Sequence, residues 1–425
     1  MVPPDRSTEP LAHEHSRRVA ALALETAACL GLPLEDRQAL EQAALFHRCW
    51  PQVLGPKALD RLRMDLGVGY PAVPQPPAES LSGGAQAILE ALRRRPARSD
   101  DEMVSRLTEI LELADFFDQR LQFLPYERIT AEQILDELHW MAQEGFYRPA
   151  VVGALAGLSR IRKESLLEKV NRLPVFPAVA LKVLGLACEP ESSFSEMETL
   201  VSSDQVLAGR ILKAANSSLY GSGGRISTIR QAMAYIGLET SRRVLTAGVF
   251  QPLFASASLH GLWKHSLEIS QLAEKLAGDS GQVPPDEAFL AGLVHDVGRL
   301  ALQKSAQEDV IAYTRLLERG CQPVFAEAVL CGFDHGVAGG DILRLWSFPE
   351  KLTEAVQSHH QPEHSDSKLA AILYLAEFWS GSDEDLPSWV RLRSALERSG
   401  ISFDLLRRVP SPGAGVLESL GGGGF

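Results

Sequence analysis

Residues 290–300 read LAGLVHDVGRL, and this stretch places two polar side chains, His295 and Asp296, side by side in an apolar segment. Apolar residues flank the pair on both sides, which indicates a buried helix. A neutral imidazole and an ionised carboxylate are good ligands for borderline divalent cations such as manganese, iron or zinc. The stretch therefore predicts a helix that offers two metal ligands, with neighbouring helices supplying the others.

Histidines are concentrated in the second half of the chain, where seven of the eleven lie between His260 and His364. The positions spaced like metal ligands are His265, His295, Asp296, His335, His359 and His360. A bound divalent cation lowers the pKa of water and can supply a hydroxide for attack on phosphorus. Each histidine taken alone fits a hydrogen-bonded core residue equally well, but the set as a whole indicates a metal site.

The motifs around this pair resemble those of a known superfamily. Residues 290–300 resemble the signature helix of HD-superfamily phosphohydrolases, and residues 262–266, LWKHS, resemble the helix with its first histidine. Further motifs resemble those of the HDOD family in order: 173–180 (LPVFPAVA), Asp204 with 207–217 (LAGRILKAANS), Glu327 with 332–335 (GFDH), 345–349 (LWSFP) and 358–360 (SHH). The resemblance runs from about residue 170 to about residue 380, and several ordered motifs make a chance match improbable.

The resemblance implies a helical output domain of bacterial signalling, without a generally established enzymatic activity. It also adds Glu377 to the ligand set, at the position where catalytic HD enzymes usually end theirs with aspartate. The longer arm of glutamate changes the metal geometry, and Arg299 stands where those enzymes often carry lysine. Both departures weaken a catalytic function.

Composition and periodicity predict an all-α protein made of two tandem HD-superfamily helical domains. A length of 425 residues suits two domains, and apolar residues recur at helical spacing while alternating β-branched runs are scarce. Two such helical faces are Val19, Leu22, Ala23 and Ala27, and Leu207, Ile211, Ala214 and Ala215. The expected division is a first domain at 1–157, a linker helix at 158–171, the HDOD domain at 172–410 and a flexible tail at 411–425.

A formal net charge of −12 and a pI near 5.5 argue against a nucleic-acid partner and against an anionic membrane surface. No run approaches the ~20 apolar residues that a membrane span needs, and the first residues lack the apolar core of a secretory signal. We therefore expect a cytoplasmic protein without membrane insertion.

The first half resembles a degenerate HD-GYP domain, the branch associated with cyclic di-GMP hydrolysis. The similar stretches are 15–19 (HSRRV), 113–118 (LADFFD) and 124–127 (LPYE). Arg48 follows His47 where the branch has a carboxylate, and its positive charge disfavours a cation. We therefore expect no metal in this domain. Asp115 and Asp118 then cap a helix or form salt bridges, with Arg48 as one candidate partner, or belong to a solvated helix face.

These features predict a bacterial signal-transduction protein that regulates through protein or nucleotide binding, with other signalling proteins as partners and without catalysis. Two alternatives stay open: a metal-dependent phosphohydrolase or cyclic dinucleotide phosphodiesterase, and a cyclic di-GMP receptor that does not hydrolyse its ligand. The residues of a nucleotide site and the oligomeric state are not indicated by the sequence.

Overall fold

The computed structural model describes residues 9–47, 81–94, 99–122, 130–159, 185, 193–217, 226–254, 256, 259–306, 310–381, 389–406 and 408–409. Within these ranges the regular elements are helices and no strand occurs. The predicted all-α class is therefore confirmed. Nearly all of the predicted linker helix at 158–171 and the whole of the predicted tail at 411–425 lie outside the described residues.

The described helices are short to medium in length and are joined by turns or by segments outside the described ranges. In chain order they are α1 (Glu9–Cys29), α2 (Leu34–Phe46), α3 (Gly83–Arg93), α4 (Glu102–Gln122), α5 (Ala131–Gln143), α6 (Pro149–Ala156), α7 (Phe194–Ser202), α8 (Gln205–Ala215), α9 (Ile229–Ile236), α10 (Leu238–Phe250), α11 (His260–Ser280), α12 (Pro285–Val294), α13 (Gly298–Ala306), α14 (Val310–Glu318), α15 (Pro323–Cys331), α16 (His335–Leu345), α17 (Glu350–Ser358), α18 (Lys368–Ser380), α19 (Trp389–Ser399) and α20 (Phe403–Leu406).

The helices form two compact units, and each unit is built from two separate stretches of the chain. The first unit combines Met1–Leu166 with Ser305–Asp334, and the second combines Leu167–Lys304 with His335–Phe425. Helices α14 and α15 thus belong to the first unit, although their sequence lies within the predicted range of the HDOD domain. The domain boundaries predicted from the sequence remain predictions beside this division.

The core of the first unit includes one face of α1. Its apolar side chains Val19 and Leu22 are fully buried, as the helical spacing predicted. Arg18 lies over the ring of Phe325 in α15, with 5.7 Å between the guanidinium carbon and the ring centroid. Glu25 of the same helix pairs with Arg315 of α14 at 3.4 Å. These contacts explain why α14 and α15 group with α1.

Polar caps set the starts of the first helices in the second unit. Ser193 and Glu196 form a reciprocal capping box at the start of α7. Asp204 accepts hydrogen bonds from the backbone amides of Val206 and Leu207 and so caps α8. The aspartate that the sequence marks before residues 207–217 therefore has a structural role as a helix cap.

Two glycines of the 290–300 stretch allow helices to approach closely. A Cβ atom at Gly292 would lie 2.6 Å from the Cα atom of Ser270 in α11. A Cβ atom at Gly298 would lie 1.9 Å from the carbonyl oxygen of His335 and 2.6 Å from the backbone nitrogen of Gly339, both in α16. Because any side chain would collide with backbone there, glycine fixes the spacing of α11, α12, α13 and α16.

Among the helices described, none combines the length and the apolar character needed to cross a lipid bilayer.

Candidate metal centre

The seven predicted ligands lie on different helices of the second unit, and the fold brings them together. Their positions are His265 in α11, His295 and Asp296 directly after α12, His335 at the start of α16, His359 and His360 directly after α17, and Glu377 in α18. Their donor atoms form three overlapping groups in which all atoms lie within 4.8 Å of one another. Residues separated by more than 100 positions thus meet in one cluster.

Glu377 joins the first group of ligands. Its Oε1 atom lies 3.0 Å from Nε2 of His265 and 2.7 Å from Nε2 of His295. The longer glutamate arm therefore reaches both imidazoles in this group. The side chain of His265 is 18% exposed, whereas that of His295 is fully buried.

Asp296 lies between the first group and the remaining histidines. Its Oδ1 atom is 2.9 Å from Nε2 of His335 and 3.5 Å from Nε2 of His295. Its Oδ2 atom is 3.9 Å from Nε2 of His265 and 3.2 Å from Nε of Arg299. The carboxylate therefore faces both sides of the cluster, and Arg299 lies directly beside one of its oxygens.

A second group is formed by His335, His359 and His360, all of them buried. The Nε2 atoms of His335 and His360 are 2.7 Å apart. Nothing in the sequence separates these three histidines from the first group. The structure shows that Asp296 connects the two.

Backbone carbonyl groups fix the tautomers of two of the imidazoles. Nδ1 of His295 donates to the carbonyl oxygen of Gly292 at 2.7 Å, and Nδ1 of His359 donates to that of Val356 at 2.6 Å. Since a carbonyl oxygen only accepts, each Nδ1 carries a proton, and in the neutral imidazole the Nε2 atom then presents its lone pair to the cluster.

Several buried polar atoms of the cluster make no hydrogen bond of good geometry within the part of the chain that is described, although two of them lie within 3 Å of a neighbouring ligand. They are Nε2 of His295, Nε2 of His359, Oδ1 of Asp296 and Oδ2 of Asp296. Buried polar groups are normally hydrogen-bonded, and leaving them without a partner is costly. Convergent lone pairs and carboxylate oxygens are the donor set that a divalent cation requires, so the residues fit a metal.

The electrostatics of the cluster favour the same conclusion. Burial would raise the pKa of Asp296, but Arg299 and then His295 hold it well below its usual range. Burial likewise opposes the low pKa of Glu377, which His265 and His295 keep well below its usual range. Both carboxyl groups are therefore ionised at neutral pH.

The inner histidines have the neutral form that metal binding needs. Burial, followed by the charges of His295 and His335, lowers the pKa of His359 to about 3. Burial, followed by His359 and His335, lowers the pKa of His360 well below its usual range. At neutral pH the two imidazoles therefore keep lone pairs available for a cation.

The first unit contains a smaller cluster, formed by residues of the stretches that resemble HD-GYP domains. Asp118 is fully buried, so the prediction of a solvated face is wrong for this residue. The predicted salt bridge is present, but Arg18 is the partner described, with its Nε atom 2.6 Å from Oδ1 of Asp118. The other predicted partner, Arg48, lies outside the described residues. His15, His47 and Asp115 bring three possible ligand atoms together beside this pair.

Comparisons with known proteins agree with the motifs of the second half. Residues 173–362 match the model of the HDOD domain family. The chain is 22% identical over 218 residues to an uncharacterized protein of Treponema pallidum, covering 50% of this chain and 42% of that protein. It is 24% identical over 155 residues to ribonuclease Y of Pelobacter propionicus, covering 35% of this chain and 25% of the enzyme. The matches thus span less than half the length of these relatives.

Solved structures share the helical architecture. A candidate signal-transduction protein from Marinobacter aquaeolei VT8 has a TM-score of 0.50 and 20% identity, covering 66% of this chain and 63% of that chain. An HDOD domain protein of unknown function from Geobacter sulfurreducens has a TM-score of 0.47 and 27% identity, covering 64% of this chain and 90% of that chain. On the strength of the family match, the segment at residues 173–362 of this chain is similar to HDOD domains.

Proposed function

We propose that this chain is a signal-transduction protein whose HDOD domain holds a divalent metal ion and acts by binding partners rather than by turnover. The observation that carries the proposal is the convergence of His295, His359 and Asp296, whose buried donor atoms lie within 4.8 Å of one another and make no hydrogen bond of good geometry among the described residues. Manganese, iron and zinc all suit a mixed imidazole and carboxylate set. The ion would hold α11, α12, α16, α17 and α18 together around one point.

The burial of the ligands favours binding over turnover. His295, Asp296, His335 and His359 are fully buried, and Glu377 contacts both His265 and His295. Structural metal sites are saturated by protein ligands, whereas catalytic sites keep a position open for water or substrate. A set of seven protein ligands with one partly exposed member resembles the saturated kind. We propose that the domain presents a metal-stabilised surface to another signalling protein in the cytoplasm.

Metal-dependent hydrolysis of a phosphodiester is the second candidate, and one observation favours it. The two oxygens of Asp296 face two different groups of histidines, an arrangement suited to a pair of cations. The similarity to ribonuclease Y covers a quarter of that enzyme and is compatible with such chemistry. A bound cation would supply a hydroxide here, and a cyclic dinucleotide is the substrate that we would test first.

The test is the metal content of the full chain, measured by elemental analysis after growth with manganese, iron and zinc. We expect the double substitution His295→Ala and Asp296→Ala to remove the metal of the second unit. The matched control is His260→Ala, an exposed histidine on the same helix as His265. If the double variant loses its helical circular dichroism, Asp296→Asn replaces it, because this change keeps the side-chain volume.

Activity and binding assays then separate the candidates. We expect no turnover of cyclic di-GMP or of bis(p-nitrophenyl) phosphate by the metal-loaded chain. Metal-dependent turnover that Asp296→Asn abolishes would replace the binding proposal with the hydrolase. Calorimetric binding of cyclic di-GMP without turnover would identify the partner as that nucleotide. A wild-type second unit that holds no metal would overturn both metal-based functions.

A further inference from the structure

Two large aromatic side chains of the first unit face solvent at the C-terminal end of α5. Trp140, in the last turn of the helix, is 55% exposed, and Phe146, which follows the helix, is 63% exposed. The buried side of the helix is made by a separate set of apolar residues: Ala131, Ile134, Leu138 and Ala142. The two aromatic rings are therefore left outside the core of the first unit.

The backbone holds these two residues in a fixed relation. The helix ends in a left-handed turn at Gly145, whose φ angle is 80°. The amide of Gly145 donates to the carbonyl oxygen of Ala142 at 3.1 Å, and the amide of Phe146 donates to that of Met141 at 3.0 Å. This pair of bonds is the Schellman motif. Phe146 is thus anchored beside the last turn of α5, so a partner that covers it and Trp140 has little backbone to order.

Three carboxylates share the exposed side of α5 with the indole ring. Glu132, Asp136, Trp140 and Glu144 recur at every fourth position, and all four are exposed. Residues four positions apart form one ridge on the surface of a helix, and this ridge is about 18 Å long at 1.5 Å per residue. An apolar ring therefore lies within a row of negative charges.

These three carboxylates have no cationic side chain within ion-pairing distance among the described residues. The other acid of the helix differs, since Glu137 is paired with Arg120 at 2.6 Å. Arg148, the N-cap residue of α6, is paired with Glu102 at 2.9 Å and also with Glu109. The nearby arginines are thus engaged elsewhere, and the negative charge of the row is not balanced within the first unit.

This placement of charge works against the stability of the helix itself. Like charges four positions apart repel each other, as Glu132 and Asp136 do. Glu144 caps the C-terminal end, where the helix macrodipole favours a cation. Between Ala131 and Gln143 the sequence has no lysine or arginine. A cationic partner would relieve both unfavourable interactions at once.

We propose that the exposed side of α5 docks a basic amphipathic helix of another protein. The apolar side chains of that helix cover Trp140 and Phe146, and its lysines or arginines pair with Glu132, Asp136 and Glu144. A cation over the face of an indole ring adds a further attraction. The surface lies in the first unit, so it is independent of the metal proposed for the second.

Charge separates this occupant from the alternatives. A second copy of the chain that docked through the same surface would bring the same three carboxylates and a net charge of −12 to the contact. Anionic lipid and nucleic acid are repelled for the same reason. A basic, partly apolar segment is the class of partner that satisfies both the aromatic rings and the acidic row.

The first experiment is a calorimetric titration of the full chain with two model peptides. Both are amphipathic helices of about 15 residues with leucine on one side, and the other side carries lysine in one peptide and glutamate in the other. We expect only the lysine peptide to bind, and Trp140→Ala to weaken it by about ten-fold. Ile311→Ala, at another exposed apolar residue of the same unit, is the matched control. No binding of the lysine peptide, or equal binding by Trp140→Ala, overturns the proposal.

Charge reversal tests the acidic row separately from the ring. One variant replaces the three carboxylates of the row with lysine: Glu132→Lys, Asp136→Lys and Glu144→Lys. Its control makes the same change of net charge at three exposed positions elsewhere in the unit: Glu35→Lys, Glu41→Lys and Glu318→Lys. We expect the first variant to lose the lysine peptide and to bind the glutamate peptide, while the control keeps the wild-type preference. Equal losses in both variants would show that net charge alone attracts the peptide, against the proposal.

Sedimentation and vesicle binding test the other occupants. Self-association of the wild-type chain that Trp140→Ala abolishes would show that a second copy covers the surface. Binding to phosphatidylcholine vesicles that Trp140→Ala abolishes would assign the surface to lipid. We expect neither, and either result overturns the proposal. The peptide titration is repeated after chelation of metal, where we expect unchanged binding. A chain that keeps its metal but does not bind the lysine peptide contradicts only the docking surface on α5.

Discussion

The histidine clusters of the two units differ in what orients their imidazoles. In the second unit, the backbone carbonyls of Gly292 and Val356 hold His295 and His359. In the first unit a backbone carbonyl holds His47, but His15 depends on the carboxylate of Asp118. A carbonyl group in the same turn is part of the helix that leads to the histidine, whereas Asp118 lies on α4 and His15 lies on α1. The orientation of His295 and His359 is therefore set locally, whereas that of His15 depends on tertiary packing.

The arginines of the two clusters also play different roles. Arg18 pairs with Asp118, and the same carboxylate contacts the first cluster through Nδ1 of His15. Arg299 lies 3.2 Å from Asp296, which is itself a proposed ligand. The positive charge of Arg18 thus stabilises Asp118, which is not one of the three possible ligands of the first cluster. The positive charge of Arg299 lies beside a proposed ligand and competes directly with a cation there. This difference predicts opposite effects when each arginine–aspartate pair is disrupted.

The largest effect is expected from Asp118→Ala. The change leaves the buried Arg18 guanidinium without its carboxylate and removes the acceptor of His15, so we expect the first unit to lose about 3–5 kcal/mol. Thermal unfolding of the full chain measures this, with the exposed Asp136→Ala as control. Metal in the second unit should be unaffected. Equal melting temperatures for the two variants would show that the pair is not needed.

Gly298→Ala tests the second unit in the same way. The added methyl group would meet the backbone of His335 at 1.9 Å, so α13 and α16 must move apart. We expect a loss of about 3 kcal/mol and a loss of metal from the second centre. Gly261→Ala, at a glycine with open space around it, is the control. Retention of metal in Gly298→Ala would show that His335 does not need this spacing.

A smaller effect concerns pH and a carboxyl group outside both clusters. Burial raises the pKa of Glu274 to about 7, and Asp286 and Glu239 add to the rise while Arg243 opposes it. The folded state therefore holds this proton more tightly than the unfolded state. The protonated Glu274 side chain therefore adds about 2–3 kcal/mol to the free energy of unfolding below about pH 4.5. This stabilisation is lost as pH rises through about 7.

Glu274→Gln should flatten the fall in stability between pH 5 and pH 8, because the amide does not ionise. Melting temperatures across this range measure the slope, and the exposed Glu132→Gln serves as the control. A wild-type slope that persists in Glu274→Gln would assign the pH dependence to other groups.

The smallest effect is expected at Arg299. Arg299→Gln removes a positive charge beside Asp296, so the second centre should bind a divalent cation more tightly, by about 1 kcal/mol or about five-fold. Competition with a chromogenic chelator measures the change, and Arg393→Gln, on an exposed part of α19, is the control. Weaker binding in Arg299→Gln would mean that the arginine positions the carboxylate rather than competing with the ion.

The sequence predicted the local features of this molecule well and its long-range features less well. The helical class followed from side-chain periodicity, which is set within a few turns, and Val19 and Leu22 are buried as that period requires. The candidate ligands of the second unit could be selected from the sequence because His295 and Asp296 are adjacent and His359 and His360 are adjacent, and the structure brings these residues together. Each doublet is a strong local signal.

The contacts within the first cluster could not be predicted, for a physical reason. Its members are isolated polar residues on three helices, and the expectation for this region rested on Arg48, the residue after His47. Arg18 and Asp118 are 100 positions apart, and nothing in a local pattern pairs an arginine of one helix with an aspartate of another. The grouping of Ser305–Asp334 with the first unit has the same origin, since it depends on contacts such as that of Arg18 with Phe325.

The discontinuous units have a practical consequence for anyone who divides this protein. The chain passes from one unit to the other three times, so no single cut yields two complete halves. A fragment that ends before Ser305 lacks α14 and α15 and leaves the face of α1 around Arg18 and Glu25 uncovered. Residues 173–362 expressed alone would carry those two helices without the rest of their unit. Moving residues 173–362 into another protein would therefore separate α14 and α15 from the helices with which they group.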